Sequence, residues 1–413
     1  MQLKTILNRI EKHPSFVYGD PIFEGDALVV SIRPRANSRA VCSGCGQRRG
    51  MYDTAREPRR FQFVPLWGIS VFFLYTMRRV NCPACGVKVE SVPWAEGKSP
   101  ITTSLAWFLA HWAKRMSWKE VADAFQTSWE SVFRAVKIAV TWGLANRDLG
   151  SVEAIGVDEV LWHRGHKYLT VVYEIGPGCK RLLWVGEERK EKTIRAFFDW
   201  FGARAKKLKY VCSDMWKPYL KVIAEKASGA IHVLDRFHIM ANISKAIDEI
   251  RAKEAKQLKA DGYEPVLKKS RWLLLKRPEN LTARQATSMK VLLQYNLRSV
   301  KAYLLKEEFQ RLWDYDSPAW AGKFLDQWCR MVMRTGLDPM KKVARSLRSH
   351  RTLILNWFRD RGVISAGAVE GLNNKLKLTT RRAYGFRTFK AAETALYHAM
   401  GGLPEPERTH RFC

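Results

Sequence analysis

Three acidic residues define the chemistry open to this chain. Asp158 ends the apolar run Ala154-Ile155-Gly156-Val157. Asp214 follows Lys209-Tyr210-Val211-Cys212-Ser213, and Glu370 sits in Ala368-Val369-Glu370-Gly371-Leu372-Asn373-Asn374-Lys375, which reads as a helix. Two carboxylates at strand ends and a third on a distant helix can converge on a hard divalent cation such as Mg2+ or Mn2+, which takes oxygen ligands and keeps several waters. Brought together without a cation, three carboxylates repel and raise each other's pKa. Two such ions roughly 3.5–4 Å apart activate a water or hydroxyl and stabilise a leaving oxygen. In a chain of net charge +31, the substrate that suits this chemistry is a nucleic acid phosphodiester. Taken singly, each acid also fits a helix cap or an exposed surface position. The reading rests on their order, their strand-end placement and their flanks.

The elements that must position these acids follow from hydrophobic periodicity. Strands are expected at 154–161, 168–175 and 181–186, then a helix over 191–207, a strand at 209–213, a helix at 217–227 and a strand at 230–234. Three strands followed by alternating helix and strand imply a mixed sheet covered by helices. Side chains alternate along a strand, so Asp158 and Glu159 point to opposite faces and Glu159 is set apart from the site. Asp158 is preferred because it precedes the basic turn Trp162-His163-Arg164-Gly165-His166-Lys167. Asn373, Asn374 and Lys377 follow Glu370 at spacings that share about one helix face. From about Arg236 to Arg361 the pattern is helical and basic, an insertion before the Glu370 helix.

Upstream, the chain is strand-rich to about residue 95. Asp26 to Arg33 is one expected strand and Gly68 to Arg78 another, long and rich in β-branched and aromatic residues. Cys42-Ser43-Gly44-Cys45-Gly46 and Cys82-Pro83-Ala84-Cys85-Gly86 are two knuckles of one type. In each, two thiolates can bind one ion, and the following glycine permits the tight turn around sulfur. Cys42, Cys45, Cys82 and Cys85 thus suit a tetrahedral structural Zn2+. A single pair would equally suit redox chemistry. The arginines between the knuckles, Arg48, Arg49, Arg56, Arg59, Arg60, Arg78 and Arg79, either contact phosphates or form a solvated basic face. Cys179, Cys212, Cys329 and Cys413 lack partner spacing.

Between residues 102 and 147 the period becomes helical. A helix runs from Ser104 to Arg115. Ser117-Trp118-Lys119-Glu120 opens a short one with a capping-box pattern. Gln126-Thr127-Ser128 turn the chain, and Trp129 to Trp142 form a longer helix. This is helix-turn-helix geometry, with a plain helical hairpin as the alternative. Val121, Ala122, Ala124, Phe125, Val132, Val136 and Val140 form the expected apolar face. Ser128, Trp129, Ser131, Arg134 and Lys137 are the expected outward residues for base edges and phosphates.

Composition narrows the classes. Hydrophobic content of 46% and aromatic content of 12% oppose general disorder, and 413 residues suggest about two to four domains. Lys and Arg number 71 against 40 Asp and Glu, the signature of a polyanion binder. No apolar stretch reaches the roughly 18 residues of a membrane span, and the start lacks an apolar leader. A reducing cytosol is therefore expected, where eight cysteines serve as ligands or buried thiols rather than disulfides.

These stretches resemble the insertion-sequence transposases of the ISL-three family. The likeness is carried by Gly156-Val157-Asp158-Glu159 with Gly165-His166-Lys167-Tyr168-Leu169-Thr170-Val171-Val172, and by Ser213-Asp214-Met215-Trp216-Lys217-Pro218-Tyr219. It continues through Asp235-Arg236-Phe237-His238, Val369 to Lys377, and Arg381-Arg382-Ala383-Tyr384-Gly385-Phe386-Arg387. The resemblance implies a DDE catalytic core of RNase H-like fold, with Asp158, Asp214 and Glu370 as its metal-binding triad. Asp235 and His238 look like the D/C-x-x-H element of related transposases, where His238 either touches the scissile phosphate or orients a core helix. Trp216 either stacks on a base displaced near the element's end or packs within the protein.

The expected architecture is α/β and multidomain. It comprises a zinc-binding N-terminal β module (1–95), a helix-turn-helix (96–149), the first part of an RNase H-like core (150–240), a helical insertion (241–361), the final core helices (362–400) and a tail (401–413). The expected function is a DNA transposase that recognises terminal inverted repeats, hydrolyses DNA at element ends and joins the freed 3′-hydroxyl to target DNA. A homodimer is expected in the DNA complex because two ends must meet. Its surroundings are the bacterial cytoplasm and nucleoid, away from any membrane. Lys377, Arg381 and Arg382, with Arg345, Arg348 and Arg351, are expected to hold phosphates of double-stranded DNA. Two rivals stand beside it: a zinc and helix-turn-helix regulator with an inactive nuclease-like domain, and a structure-specific nuclease that never joins strands.

Overall fold

Apolar residues alternating with polar ones build three sheets, and 3.6-residue periodicity builds the helices between them. The computed structural model describes residues 3–163, 165, 167–263, 265–359 and 366–407. Arg164 and His166 of the basic turn, the 361/362 boundary, Cys413 and the end of the tail lie outside these residues. The chain divides into two compact units, Met1–Asp148 with Leu376–Cys413, and Leu149–Lys375.

In the first unit, one sheet orders its strands Phe16–Glu24, Ala27–Pro34, Ile69–Tyr75 and Arg59–Leu66. Phe61, Phe63, Phe73, Tyr75 and Trp94 fill its inner face. A second sheet orders Ala40–Val41, Arg48–Thr54, Arg78–Cys82 and Gly86–Val89. The single strand expected from Gly68 to Arg78 is therefore two strands in two sheets. The chain changes sheet at Thr76-Met77 because Arg78 turns inward, where Glu90 takes its Nε at 2.9 Å and its Nη2 at 2.7 Å.

Helices Thr103–Ala113, Trp118–Ala124 and Trp129–Asn146 follow, and Phe389–Met400 packs against the third. The capping box of Ser117 and Glu120 is present, and Ser128 caps the third helix. Gln126 makes the turn with φ +48°. Val121, Ala122, Val132, Val136 and Val140 are buried as expected, and Arg134 and Lys137 are exposed. Two assignments need correction. Ser131 is buried, because its N–H and hydroxyl face the Ser128 cap, and Ala124 is exposed beside the turn.

In the second unit, a five-stranded sheet runs Arg181–Glu187, Lys167–Glu174, Ala154–His163, Tyr210–Ser213, Ile231–Leu234. Its first three strands are antiparallel meanders, and the last two lie parallel to Ala154–His163. One face carries helices Glu191–Phe201 and Lys217–Lys226, packed on Ile155, Val157 and Val172. Helix Ala366–Arg382 contributes Val369 to the other face. A Cβ built on Gly156 would lie 2.5 Å from Val369 Cγ2, so only glycine lets this helix approach so closely. Between the last strand and that helix, Arg236–Ala260 and its successors to Arg351–Arg359 form a helical body around Ile243, Ile247, Phe309, Trp328 and Met340.

Candidate active site

Register places the acids. Gly156 pairs with Cys212, and Cys212 with Val233, across three adjacent parallel strands. Two residues beyond each member of that row stand Asp158, Asp214 and Asp235. Asp158 remains within its strand, whereas Asp214 and Asp235 lie just past the ends of theirs. Asp235 caps the helix that follows by accepting the Phe237 N–H at 2.7 Å, whereas Asp214 accepts the N–H of Trp216, the residue at the start of the next helix, at 3.0 Å.

Asp158 is buried and fully engaged. Its Oδ1 accepts the Glu159 N–H at 2.7 Å, and His238 Nε2 lies 3.6 Å from the same oxygen. Its Oδ2 accepts from Asn373 Nδ2, while Asn373 Oδ1 accepts from the buried Tyr173 hydroxyl at 2.9 Å. His238 also stands 3.8 Å from Asp235 Oδ2. Glu370 is exposed one turn before Asn373, and its charge reaches Asp235. Asn373 and Asn374 do not share an environment, the first being buried and the second exposed.

The electrostatics are those of crowded carboxylates. Burial pushes the Asp235 carboxyl up to about 6, with Asp158 and Glu370 adding to the rise and His238 opposing it. Burial likewise raises Asp214, opposed by the Trp216 N–H and His238 and reinforced by Asp158. Contact with Asp158 holds His238 up to about 9, with Asp235 and Asp214 contributing. Burial and then the Asp214 charge push Glu159 up to about 8.

Glu159 corrects the expectation that it stands apart. Its side chain does face the helix layer opposite Asn373, where it pairs with Arg189 at 2.6 Å. Asp214 nevertheless acts on it, because that residue has left the sheet and no longer alternates with either face. Arg189 in turn covers the Trp216 ring at 4.6 Å. Trp216 is half-buried and meets Tyr219 edge-on at 4.7 Å. Sequence reasoning gave no role to Glu159, Arg189, Asn373 or Tyr173. Asn373 alone carried a signal, its spacing from Glu370.

An oxygen-rich set of acids, among which burial raises Asp214, Asp235 and Glu159, has the donor chemistry of a hard divalent cation. The acids are not gathered into a closed ligand set. Among the described residues, only Cys42, Cys45, Cys82 and Cys85 bring three or more such ligand atoms within 4.8 Å of one another. These four sulfurs come from the ends of two strands of the second sheet, and Gly46 and Gly86 adopt φ +70° and +71° as the knuckles require. The other basic residues singled out are placed as follows: Lys377 and Arg381 are exposed, and Arg382 donates to Arg115 O at 3.0 Å. No helix among the described residues is long and apolar enough to cross a membrane.

Comparison with known proteins bears on this geometry. A family model described as Transposase, that of the ISL3 group of DDE transposases, matches residues 155–396. The transposase for insertion sequence element IS1001 of Bordetella parapertussis is 32% identical over 369 residues, covering 88% of this chain and 89% of the relative. That for element IS1557 of Mycobacterium tuberculosis is 28% identical over 398 residues, covering 90% and 88%. Among solved structures, the Drosophila P element transposase strand transfer complex aligns with a TM-score of 0.38 at 9% identity, covering 72% of this chain and 91% of that one. The chain belongs to the ISL-three family of DDE transposases.

Proposed function

We propose that Asp158, Asp214 and Glu370 are the catalytic acids of a DNA transposase that cleaves at the terminal inverted repeats of its element and joins the freed 3′-hydroxyl to target DNA. The observation that carries this reading is the row of Asp158, Asp214 and Asp235 at one level of three adjacent parallel strands, with the Glu370 helix seated on Gly156. Strand order third-second-first-fourth-fifth, with the first three antiparallel, supports an RNase H-like core.

Magnesium or manganese held by Asp158, Asp214 and Glu370 would supply the Lewis acidity that activates an attacking hydroxyl and stabilises the leaving oxygen. The protein's own groups do the rest. Asn373 holds Asp158 in one orientation through the Tyr173 hydroxyl. His238, kept protonated by Asp158, offers an N–H to a phosphate oxygen, and Arg189 holds Glu159 in place beside Asp214. Zinc on the four cysteines fixes the N-terminal module (1–95). That module and the helix-turn-helix (96–149) recognise the repeats, with Arg134 and Lys137 on phosphates or base edges. Lys377, Arg381 and Arg382 grip the DNA backbone, and Trp216, covered by Arg189, is a base platform once that arginine moves. The core spans 150–240 and 362–400 around the insertion 241–361. The enzyme works as a dimer on paired ends in the bacterial nucleoid.

The test uses purified full-length protein, DNA carrying the element's ends, and magnesium, with Asp214→Asn beside wild type. Wild type should cut and join, and the variant should bind DNA but do neither. Equal activity would remove Asp214 from the reaction. Binding without cutting by wild type favours the regulator, and cutting without joining favours the nuclease.

A further inference from the structure

Helix Ala366–Arg382 ends in a turn that presents one aromatic ring outward. Tyr384 is 98% exposed, and its backbone sits at φ +52°, followed by Gly385 at +91°. A tyrosine gains nothing for folding in that place: its ring touches no core, and the left-handed backbone is disfavoured for any residue with a Cβ. The turn is nevertheless fixed on every side. The Tyr384 N–H bonds Arg381 O at 2.9 Å and the Gly385 N–H bonds Thr380 O at 3.0 Å. Two residues on, Phe386 is buried, 6.2 Å from Trp118. Trp118 itself lies 6.0 Å from Trp129 and 5.3 Å from Phe133, on the helix that begins at the helix-turn-helix turn. Thr388 then caps the last helix. The segment that carries the ring is basic, with Glu120 of the second helix of the helix-turn-helix region near enough to feel Arg382. Arg381, Arg382 and Arg387 are exposed, and no Asp or Glu occurs between Glu370 and Glu393.

We propose that Tyr384 is a base-stacking residue, held rigidly beside the helix-turn-helix, that takes an unstacked or unpaired base of DNA while Arg381 and Arg387 bind the flanking phosphates. A rigid, amphipathic ring framed by guanidinium groups is the arrangement that stacks on bases irrespective of sequence. A buried-partner role is unsuited, since the ring has no neighbour to lose. This site rests on the reading of the chain as a DNA-binding transposase but not on the acids, which are separate in sequence and chemistry.

The experiment is a fluorescence titration of the full-length protein with 2-aminopurine-labelled DNA in three forms: intact duplex, duplex with one mismatched pair, and single strand. Wild type should quench the probe in the mismatched duplex and the single strand. Tyr384→Ala should lose that quench and about tenfold in affinity for those two forms, with its salt dependence unchanged. Tyr384→Phe should retain both. Arg387→Ala should keep the quench while lowering the slope of log affinity against log salt by about one. Cutting and joining of end-bearing DNA by the same wild-type preparation is assayed alongside, so failure of the catalytic reading is seen separately. The proposal is overturned if Tyr384→Ala binds and quenches as wild type does, or if Tyr384→Phe is as weak as Tyr384→Ala. It is also overturned if Tyr384→Ala changes only self-association in sedimentation, which would assign the ring to a protein contact. Wild type that binds none of the three DNAs overturns the DNA reading and this proposal together.

Discussion

Asn373 donates a hydrogen bond to Asp158 across 215 residues of sequence, and its own carbonyl oxygen is held by Tyr173. Asp158 therefore does not choose its orientation alone. Asn373→Ala should leave a buried tyrosine hydroxyl without its acceptor, a cost of about 1–3 kcal/mol. It should also free Asp158 to rotate, so cleavage falls more than stability does, by roughly a hundredfold. Comparing single-turnover cleavage with thermal midpoints checks this. Equal loss in Asn373→Ala and Asn373→Asp, at unchanged DNA affinity, is the expected pattern, because an aspartate there would repel Asp158.

The four cysteines are expected to carry one zinc per chain. Cys82→Ser removes a thiolate from a cluster whose Cys45 and Cys82 sulfurs lie 3.6 Å apart. Elemental analysis of the purified variant should show that zinc lost, with DNA binding weakened and the second unit's fold untouched. Unchanged zinc content would end the four-thiolate assignment.

Glu90 holds the two N-terminal sheets in register. It accepts from the Tyr75 hydroxyl at 2.6 Å, from the Arg78 N–H at 2.7 Å and from the Arg78 guanidinium at 2.7 and 2.9 Å. Removing one partner of a buried pair leaves the other charge uncompensated, typically about 3–5 kcal/mol. Glu90→Gln should therefore destabilise the first unit by an amount of that order. Glu90→Gln combined with Arg78→Met should recover part of it, as measured by denaturant unfolding.

Acid should loosen the second unit through His232. Burial holds this imidazole down to about 4, while its Nε2 and Ser213 Oγ stand 2.8 Å apart and its carbonyl accepts from Asn356 at 2.8 Å. The unfolded chain takes up the proton near 6.5. A depressed folded value means the contribution is complete above about pH 6.5 and is lost as pH falls through 4. The His232 share, read as the difference between wild type and a His232 variant, should be constant above neutrality and fall below pH 6.5. His232→Gln should show a lower midpoint at pH 7 and a shallower acid slope.

The five-stranded sheet was legible because its strands are apolar runs with an acid within or just beyond them, and strand register converts equal offsets into neighbours. Tertiary placement was harder to read. Ser131 had an outward period but lies under its own cap, and Arg78 looked like the end of a long strand until Glu90 supplied a buried partner. Glu159 was misplaced for another reason. Alternation assigned its face correctly but says nothing about an acid such as Asp214 that stands beyond a strand end and acts on both faces. Arg189, far from every motif, had no signal at all.

Helix Ala366–Arg382 has a consequence for how the protein is made. Its first half, with Glu370 and Asn373, completes the second unit, and from Leu376 onward the chain completes the first. Both contributions come from one continuous helix. A message cut short before this helix would yield a product with Asp158, Asp214, the knuckles and the helix-turn-helix, yet with Asp158 lacking its Asn373 partner and Trp118 lacking Phe386. Loss of this one helix would therefore leave both compact units incomplete rather than one.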